Sequence, residues 1–361
     1  MDKSNIDSTN NLDSIETILS ADSTCMSERL AGFHLQCGSA WAQSNEKELP
    51  PEYSRSKQIA IVGMGGSAIS GNLAENLFRQ QSSVPISVIR SSVLPKWVDN
   101  KTLVIACSYS GNTKETLSIF DDAIKRGCQV ICSTSGGILQ EKSNSLNLPS
   151  LSIDFIGEPR SAIGYSFFNL VSILDRLGFI PNQHTYVTKA IEQLKINGEN
   201  WNLKVPTKSN YAKQIATRIG HNLPIIIGYD IFESVARRWK TQFNENSKSI
   251  AIWEAIPEFL HNGVESFQST NSSAFVPMVI LLKPQTAKEQ KDDPFINIVK
   301  YLQGIHMPYE LVKVGEMSTM AQILTAVQLG DYVSYYLALL KNTDPGPVNV
   351  IESLKYKKTN G

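Results

Sequence analysis

The chain has 361 residues, against about 150 for an average domain, so it has room for two units that each bury a core without disulfide or metal staples. Lys plus Arg total 34 and Asp plus Glu total 34, giving a net charge of zero, and charged residues make up 19% of the chain, below the roughly one quarter of typical soluble domains. No global basic field exists for nucleic acid or an anionic membrane, so an anionic ligand needs a local site, and the low charge is compatible with a surface covered by a partner subunit.

Residues 1 to about 12 are mostly Ser, Asn, Asp and Thr, too polar to bury enough apolar surface to offset chain ordering, and a frayed start is expected. From Ile15 to Trp41 apolar residues recur loosely at helical spacing, ending before Pro50 and Pro51. QIAIVG (58–63) then reads as a strand, and GMGGSAISGNLAENLF as a glycine turn opening a helix with Ile69, Leu73 and Leu77 on one face. ISVIR (86–90), TLVIACS (102–108), CQVICST (128–134) and LSIDFI (151–156) are further short apolar runs alternating with helical stretches such as 112–126, and a helix over 161–177 closes the unit. A linker with one helix follows near 181–209. The rhythm restarts at PIIIGY (224–229), with a helix over 231–247, SIAIW (249–253), FVPMVILL (275–282), a helix over 294–304, YELVKV (309–314) and a helix over 317–341.

Strands apolar on both faces alternating with helices predict an α/β fold of two doubly wound parallel-sheet domains with flanking helices. The expected organisation is an N-terminal polar tail and helix (1–50), a first domain (51–180), the linker (181–209), a second domain (210–341) and a C-terminal tail (342–361). Cys25, Cys37, Cys107, Cys128 and Cys132 have no paired metal spacing, which fits a reducing compartment. No signal peptide and no run of about eighteen apolar residues is evident, so a cytoplasmic chain without membrane or nucleic-acid partner is expected.

GMGGSA (63–68) satisfies a dinucleotide-binding pattern if Ala68 is its last position. However, the next strand ends in Arg90 and serines rather than the acid that holds a ribose; Arg90 leaves a 2′-phosphorylated dinucleotide open. SYSGNT (108–113) follows a strand and opens a helix, offering the hydroxyls of Ser108, Ser110 and Thr113 beside the amides of Gly111, Asn112 and Thr113. Hydroxyls and unsatisfied amides at a helix N-terminus hold phosphate without lysine. With Gly66 and Ser67 from the first loop, they would form one monophosphate pocket. Simple helix capping explains the same residues less fully, because capping does not require two such turns.

GMGGSAISG, SYSGNTKETL, EPRSAIGYSFF, VARRWKTQFNENSK, IPEFLHN and DPGPVNVIESLK together resemble the bifunctional phosphoglucose/phosphomannose isomerases, built from two sugar isomerase (SIS) domains of flavodoxin-like type. The resemblance spans about residues 55 to 358. It implies aldose–ketose isomerisation of glucose 6-phosphate, and mannose 6-phosphate, with fructose 6-phosphate through a cis-enediolate, with no metal and no cofactor.

The resemblance also implies residue roles. Glu245 in NENSK is the implied base. A helix from Ile231 would set it seven residues after Arg238, at the edge of a stripe of Ile231, Val235, Trp239 and Phe243. Loss of water at such an edge is the general route by which a carboxylate is tuned as a base. His261 is implied to assist ring opening from across a homodimer interface, Arg160 to face the enediolate, and Lys355 to reach the sugar oxygens from the C-terminal tail. The chain departs from the family at Leu260 and Gly263 beside His261, and has Gly346 where a threonine associated with the C2 epimer is common. A non-catalytic SIS regulator would keep the serine loops without needing Glu245 or Lys355. An aminating synthase would need a glutaminase domain for which the sequence has no room.

Overall fold

The computed structural model describes residues 12–272, 276–285, 293–315 and 317–356; all but the last residue of the expected frayed start lies outside them. Where the sequence suggests one helical stretch, the structure has α1 (Ile15–Ala21), α2 (Met26–Ala31) and α3 (Phe33–Glu46). The interruption has a local cause. The Asp22 carboxylate accepts from the amides of Met26 and Ser27, both at 2.8 Å, and Cys25 takes a left-handed φ of 55°, so the chain reverses and begins again. A side-chain acceptor here satisfies amides that a continuous helix would have bonded internally.

The first sheet contains β1 (Gln58–Val62), β2 (Ile86–Ile89), β3 (Thr102–Ser108), β4 (Gln129–Thr134) and β5 (Ser150–Ser152). All its pairs are parallel, in the order β2-β1-β3-β4-β5. Helices α4 (Gly65–Phe78), α5 (Lys114–Lys125) and α6 (Gly137–Ser145) connect its strands, and α7 (Ile163–Arg176) follows. α8 (His184–Trp201) and α9 (Tyr211–Ile219) lead to the second sheet. It contains β6 (Leu223–Tyr229), β7 (Ile252–Ile256), β8 (Pro277–Lys283) and β9 (Tyr309–Lys313), parallel in the order β7-β6-β8-β9. α10 (Glu233–Glu245), α11 (Pro294–Gly304), α12 (Thr319–Leu340) and α13 (Asn349–Tyr356) complete the chain.

Two strands differ from the sequence reading. β5 stops at Ser152 instead of running to Ile156, because the Tyr109 hydroxyl takes the carbonyls of Phe155 (2.7 Å) and Gly157 (3.2 Å) that a longer strand would offer to a neighbour. β7 begins at Ile252 rather than Ser249, because Ser249 finishes α10: its amide donates to Phe243 O (3.1 Å) and its carbonyl accepts from the Asn244 side chain (2.8 Å).

The strands divide their apolar residues between layers. Ile59 and Ile61 face a central core, whereas Ala60 and Val62 pack into an outer layer with Ile119 and Phe120 of α5. In the second sheet, Ile226 and Ile280 face the same central core, while Ile227 and Leu281 pack outward with Ile298 and Leu302 of α11. Length alone suggested two separately cored units. Instead one continuous apolar cluster joins the inner faces of both sheets with α3, α7, α8, α9, α10 and α12, so a large share of the burial that drives folding couples the two halves. α12 is long and apolar enough to cross a membrane, but 94% of that stretch is buried inside the protein, where it forms the central helix of this core.

Candidate active site

In an open parallel sheet, ligands bind beyond the carboxyl ends of strands where the strand order reverses. In the first sheet that point lies between β1 and β3, which pair from Gln58↔Thr102 to Val62↔Ala106, so the segments that leave them emerge side by side. From β1 the chain passes through Met64 into α4, whose first turn holds Gly66 and Ser67; no side chain caps this helix. From β3 it passes through Ser108–Thr113 into α5, which also lacks a side-chain cap. Two helix N-termini with unsatisfied amides thus point into one crevice.

Within the second loop, Ser108 Oγ and Thr113 Oγ1 are hydrogen-bonded at 3.0 Å. The sequence reading of three free amides needs correction. Gly111 N donates to Ser108 O at 3.1 Å and Asn112 N to Ser110 Oγ at 3.3 Å, because Gly111 sits at φ 66° and closes the turn on itself. A side chain at Gly111 would overlap the Gly136 carbonyl. The Ser110 hydroxyl accepts in that turn and keeps its own proton to donate. The Asn112 side chain, given no role from sequence, takes the Ile138 amide on its Oδ1 at 3.1 Å, tying the loop to the start of α6.

Arg160 approaches the crevice from another element, in a 3-10 turn (Pro159–Ser161) just before α7. A Cβ placed on Gly66 would lie 3.5 Å from Arg160 Cα, so the first turn of α4 rests on the arginine segment. The Arg160 side chain is 3% exposed. Its Nε donates to Asn246 Oδ1 at 2.6 Å, and Nη2 donates to Pro345 O (2.7 Å) and Gly346 O (2.8 Å). Its Nη1 has no hydrogen-bond partner and lies 3.5 Å from Glu245 Oε2. Burial pulls this guanidinium below the ordinary arginine range, opposed by the charges of Glu245 and Glu158.

Glu245 is the last residue of α10. The expected stripe of Ile231, Val235, Trp239 and Phe243 is buried, and fixes the helix so that its end delivers Glu245, with 29% of the side chain exposed, to Arg160. Asn246 follows, buried, and its Nδ2 donates to Ser334 Oγ of α12 at 2.9 Å. Lys248 Nζ bonds the carbonyls of Glu245 (2.6 Å) and Asn246 (3.3 Å) and reaches Pro345 O at 3.4 Å. A cation on the last carbonyls of a helix is favoured by the helix dipole. Neither Asn246 nor Lys248 was given a role from sequence, although both lie in the NENSK segment.

Beneath Arg160, Arg238 Nη2 donates to Arg160 O (3.1 Å) and to Asp331 Oδ2 (2.7 Å). This pair is almost fully buried, and burial pushes the Asp331 carboxyl up while Arg238 opposes the shift. Removing one partner leaves the other charge buried and unpaired. Arg238→Met is therefore expected to lower the unfolding free energy by about 3–5 kcal/mol, measured as an earlier urea midpoint.

His261 is exposed at the end of a 3-10 turn (Glu258–His261) beyond β7, and its side chain makes no hydrogen bond or ion pair with the described residues. Lys355 is on α13, but its side chain lies outside what the structure describes. The structure thus brings together Gly66, Ser67, Ser108, Ser110, Thr113, Arg160 and Glu245, and leaves His261 outside that constellation.

The chain is 36% identical over 306 residues to the bifunctional phosphoglucose/phosphomannose isomerase of Caldicellulosiruptor bescii, covering 83% of this chain and 89% of that protein. The chain belongs to the bifunctional phosphoglucose/phosphomannose isomerase family. The enzyme of that name from Thermoplasma acidophilum is 33% identical, over 82% of this chain and 88% of its own. Residues 208–357 match the bacterial phospho-glucose isomerase C-terminal SIS domain. At the level of fold, a hypothetical protein of Thermus thermophilus superposes with a TM-score of 0.72 at 15% identity, covering 96% of this chain and 94% of that one.

Proposed function

We propose that this family member interconverts glucose 6-phosphate, and mannose 6-phosphate, with fructose 6-phosphate by proton transfer through a cis-enediolate. The observation that carries the proposal is the Glu245–Arg160 pair: a half-buried carboxylate lies 3.5 Å from an arginine nitrogen that has no hydrogen-bond partner. A base and a fixed positive charge side by side are what removal of a proton next to a carbonyl requires. Glu245 takes the C2 proton of the open-chain aldose, Arg160 meets the charge that develops on the oxygens, and the Glu245 carboxyl, whose proton exchanges with solvent, delivers a proton to C1. Glucose and mannose 6-phosphates differ at the carbon that becomes planar, so one intermediate serves both.

Ser67, Ser108, Ser110 and Thr113, with the N-terminal turns of α4 and α5, hold the phosphate, and its binding energy orients the reacting carbons. Each hydroxyl donated to a charged group is worth about 1.5–3 kcal/mol. Ser110→Ala is therefore expected to raise KM for fructose 6-phosphate about tenfold or more while moving kcat much less, as steady-state kinetics would read.

His261 acts in ring opening from a second copy of the chain, in a homodimer. Supporting this, it is exposed in the single chain beside the exposed apolar side chain of Leu260. Lys355 of the C-terminal helix contacts the sugar oxygens. The acid–base chemistry needs no metal, and a cytoplasmic setting suits five cysteines that are all free. The test is conversion of fructose 6-phosphate to aldose 6-phosphates with EDTA present. Turnover that EDTA abolishes contradicts the metal-independent mechanism, and binding without turnover makes the protein a sugar-phosphate sensor.

A further inference from the structure

The segment between α1 and α2 reaches the site through Thr24. Its hydroxyl donates to Glu158 Oε1 at 2.8 Å and accepts from Arg29 Nη2 at 3.0 Å; Arg29 also donates to Glu158 Oε1 at 2.7 Å and to the Thr24 carbonyl. Glu158 and Arg29 are mostly buried. Glu158 begins the turn that carries Arg160, and its carbonyl accepts from the Ser161 amide at 2.8 Å. α3 braces the other side of that turn: Gln36 donates to Ser161 O at 2.9 Å and accepts from the Gly164 amide at 2.6 Å.

Thr24 also lies against the C-terminal turn. A Cβ on Gly346 would come within 2.5 Å of Thr24 Cγ2 and closer still to its hydroxyl. The glycine is therefore matched to the threonine, with one side chain occupying the space of two. This is the turn whose Pro345 and Gly346 carbonyls accept from Arg160 Nη2. Thr24 thus touches both segments that fix the guanidinium, the one that carries it and the one that receives it.

We infer that Thr24, packed against Gly346 and clasped by Arg29 and Glu158, is a positioning residue for Arg160, making the N-terminal helical segment part of the active-site architecture. The inference rests on the isomerase reading. Enlarging residue 346 pushes its carbonyl away from Nη2, which turns the guanidinium from the developing enediolate. Neither Thr24 nor Gly346 belongs to the phosphate loops at 63–67 and 108–113, so substrate affinity is expected to change little.

The test is an exchange of side-chain volume. Gly346→Thr is expected to lower kcat for fructose 6-phosphate about tenfold or more, with KM little changed, and adding Thr24→Gly is expected to restore most of it. Independently, Thr24→Val keeps the volume but loses the hydroxyl, and is expected to lower kcat about fivefold, whereas Thr24→Ser stays near wild type. A Gly346→Thr protein with kcat within twofold of wild type overturns the inference, as does a folded one whose loss Thr24→Gly does not relieve. If Gly346→Thr does not fold by circular dichroism, the Thr24→Val and Thr24→Ser pair decides, and equal kcat in both overturns the inference. A wild-type protein without turnover overturns the isomerase reading itself, so the two failures are distinguishable.

Discussion

Glu245→Gln is expected to lower kcat for fructose 6-phosphate by about 10²–10⁴-fold, the contribution of a positioned general base, while leaving Kd for the sugar phosphate within a few-fold. The amide preserves shape and hydrogen bonding but has no basic lone pair at working pH. Glu245 is placed by the end of α10 and by the Lys248 ammonium, which donates to the carbonyls of Glu245 and Asn246; neither depends on the Glu245 carboxylate, so the variant should fold normally. Calorimetric titration with the sugar phosphate separates the two effects. Weakened binding with kcat retained would make Glu245 a binding residue and not the base.

Arg160→Lys is expected to reduce kcat by about 10²–10³-fold, the usual loss when one preorganised charge-stabilising donor is removed, despite retaining a positive charge. The guanidinium uses Nε for Asn246 and Nη2 for two carbonyls, leaving Nη1 toward Glu245. A lysine has one nitrogen and no planar fork, and so cannot hold both directions. It would also strand buried acceptors at a cost of about 1–3 kcal/mol each. Falling kcat should therefore come with a lower Tm. A lysine variant with wild-type kcat would show that charge alone, without orientation, is what the site needs.

Much of the fold was legible in the sequence because parallel strands buried on both faces are uninterrupted apolar runs and the helices between them are not. The failures were where side chains replaced backbone pairing. Tyr109 supplies hydrogen bonds that shorten β5, and Ser249 finishes a helix instead of starting a strand. No local pattern records either choice. The residues of the proposed site could be picked from sequence where they are concentrated in one motif, as in Ser108–Thr113 and Glu245. The site was less legible where contacts are distributed: Asn246 reaches Arg160 and Ser334, Lys248 reaches Pro345, and the pairing of Gly346 with Thr24, more than three hundred residues earlier, is visible only in three dimensions. The neutral composition is compatible with the proposed site, in which hydroxyls, helix N-termini and one buried arginine would hold an anion without a basic surface.

The most direct test is incubation of the protein with fructose 6-phosphate in D₂O, with the aldose products read by NMR. Proton transfer through an enediolate held between Glu245 and Arg160 predicts glucose 6-phosphate and mannose 6-phosphate carrying deuterium at C2. Aldose products with no deuterium at C2 even after many turnovers at equilibrium would contradict proton transfer through an exchangeable carboxyl, and failure to form any aldose would contradict the isomerase reading.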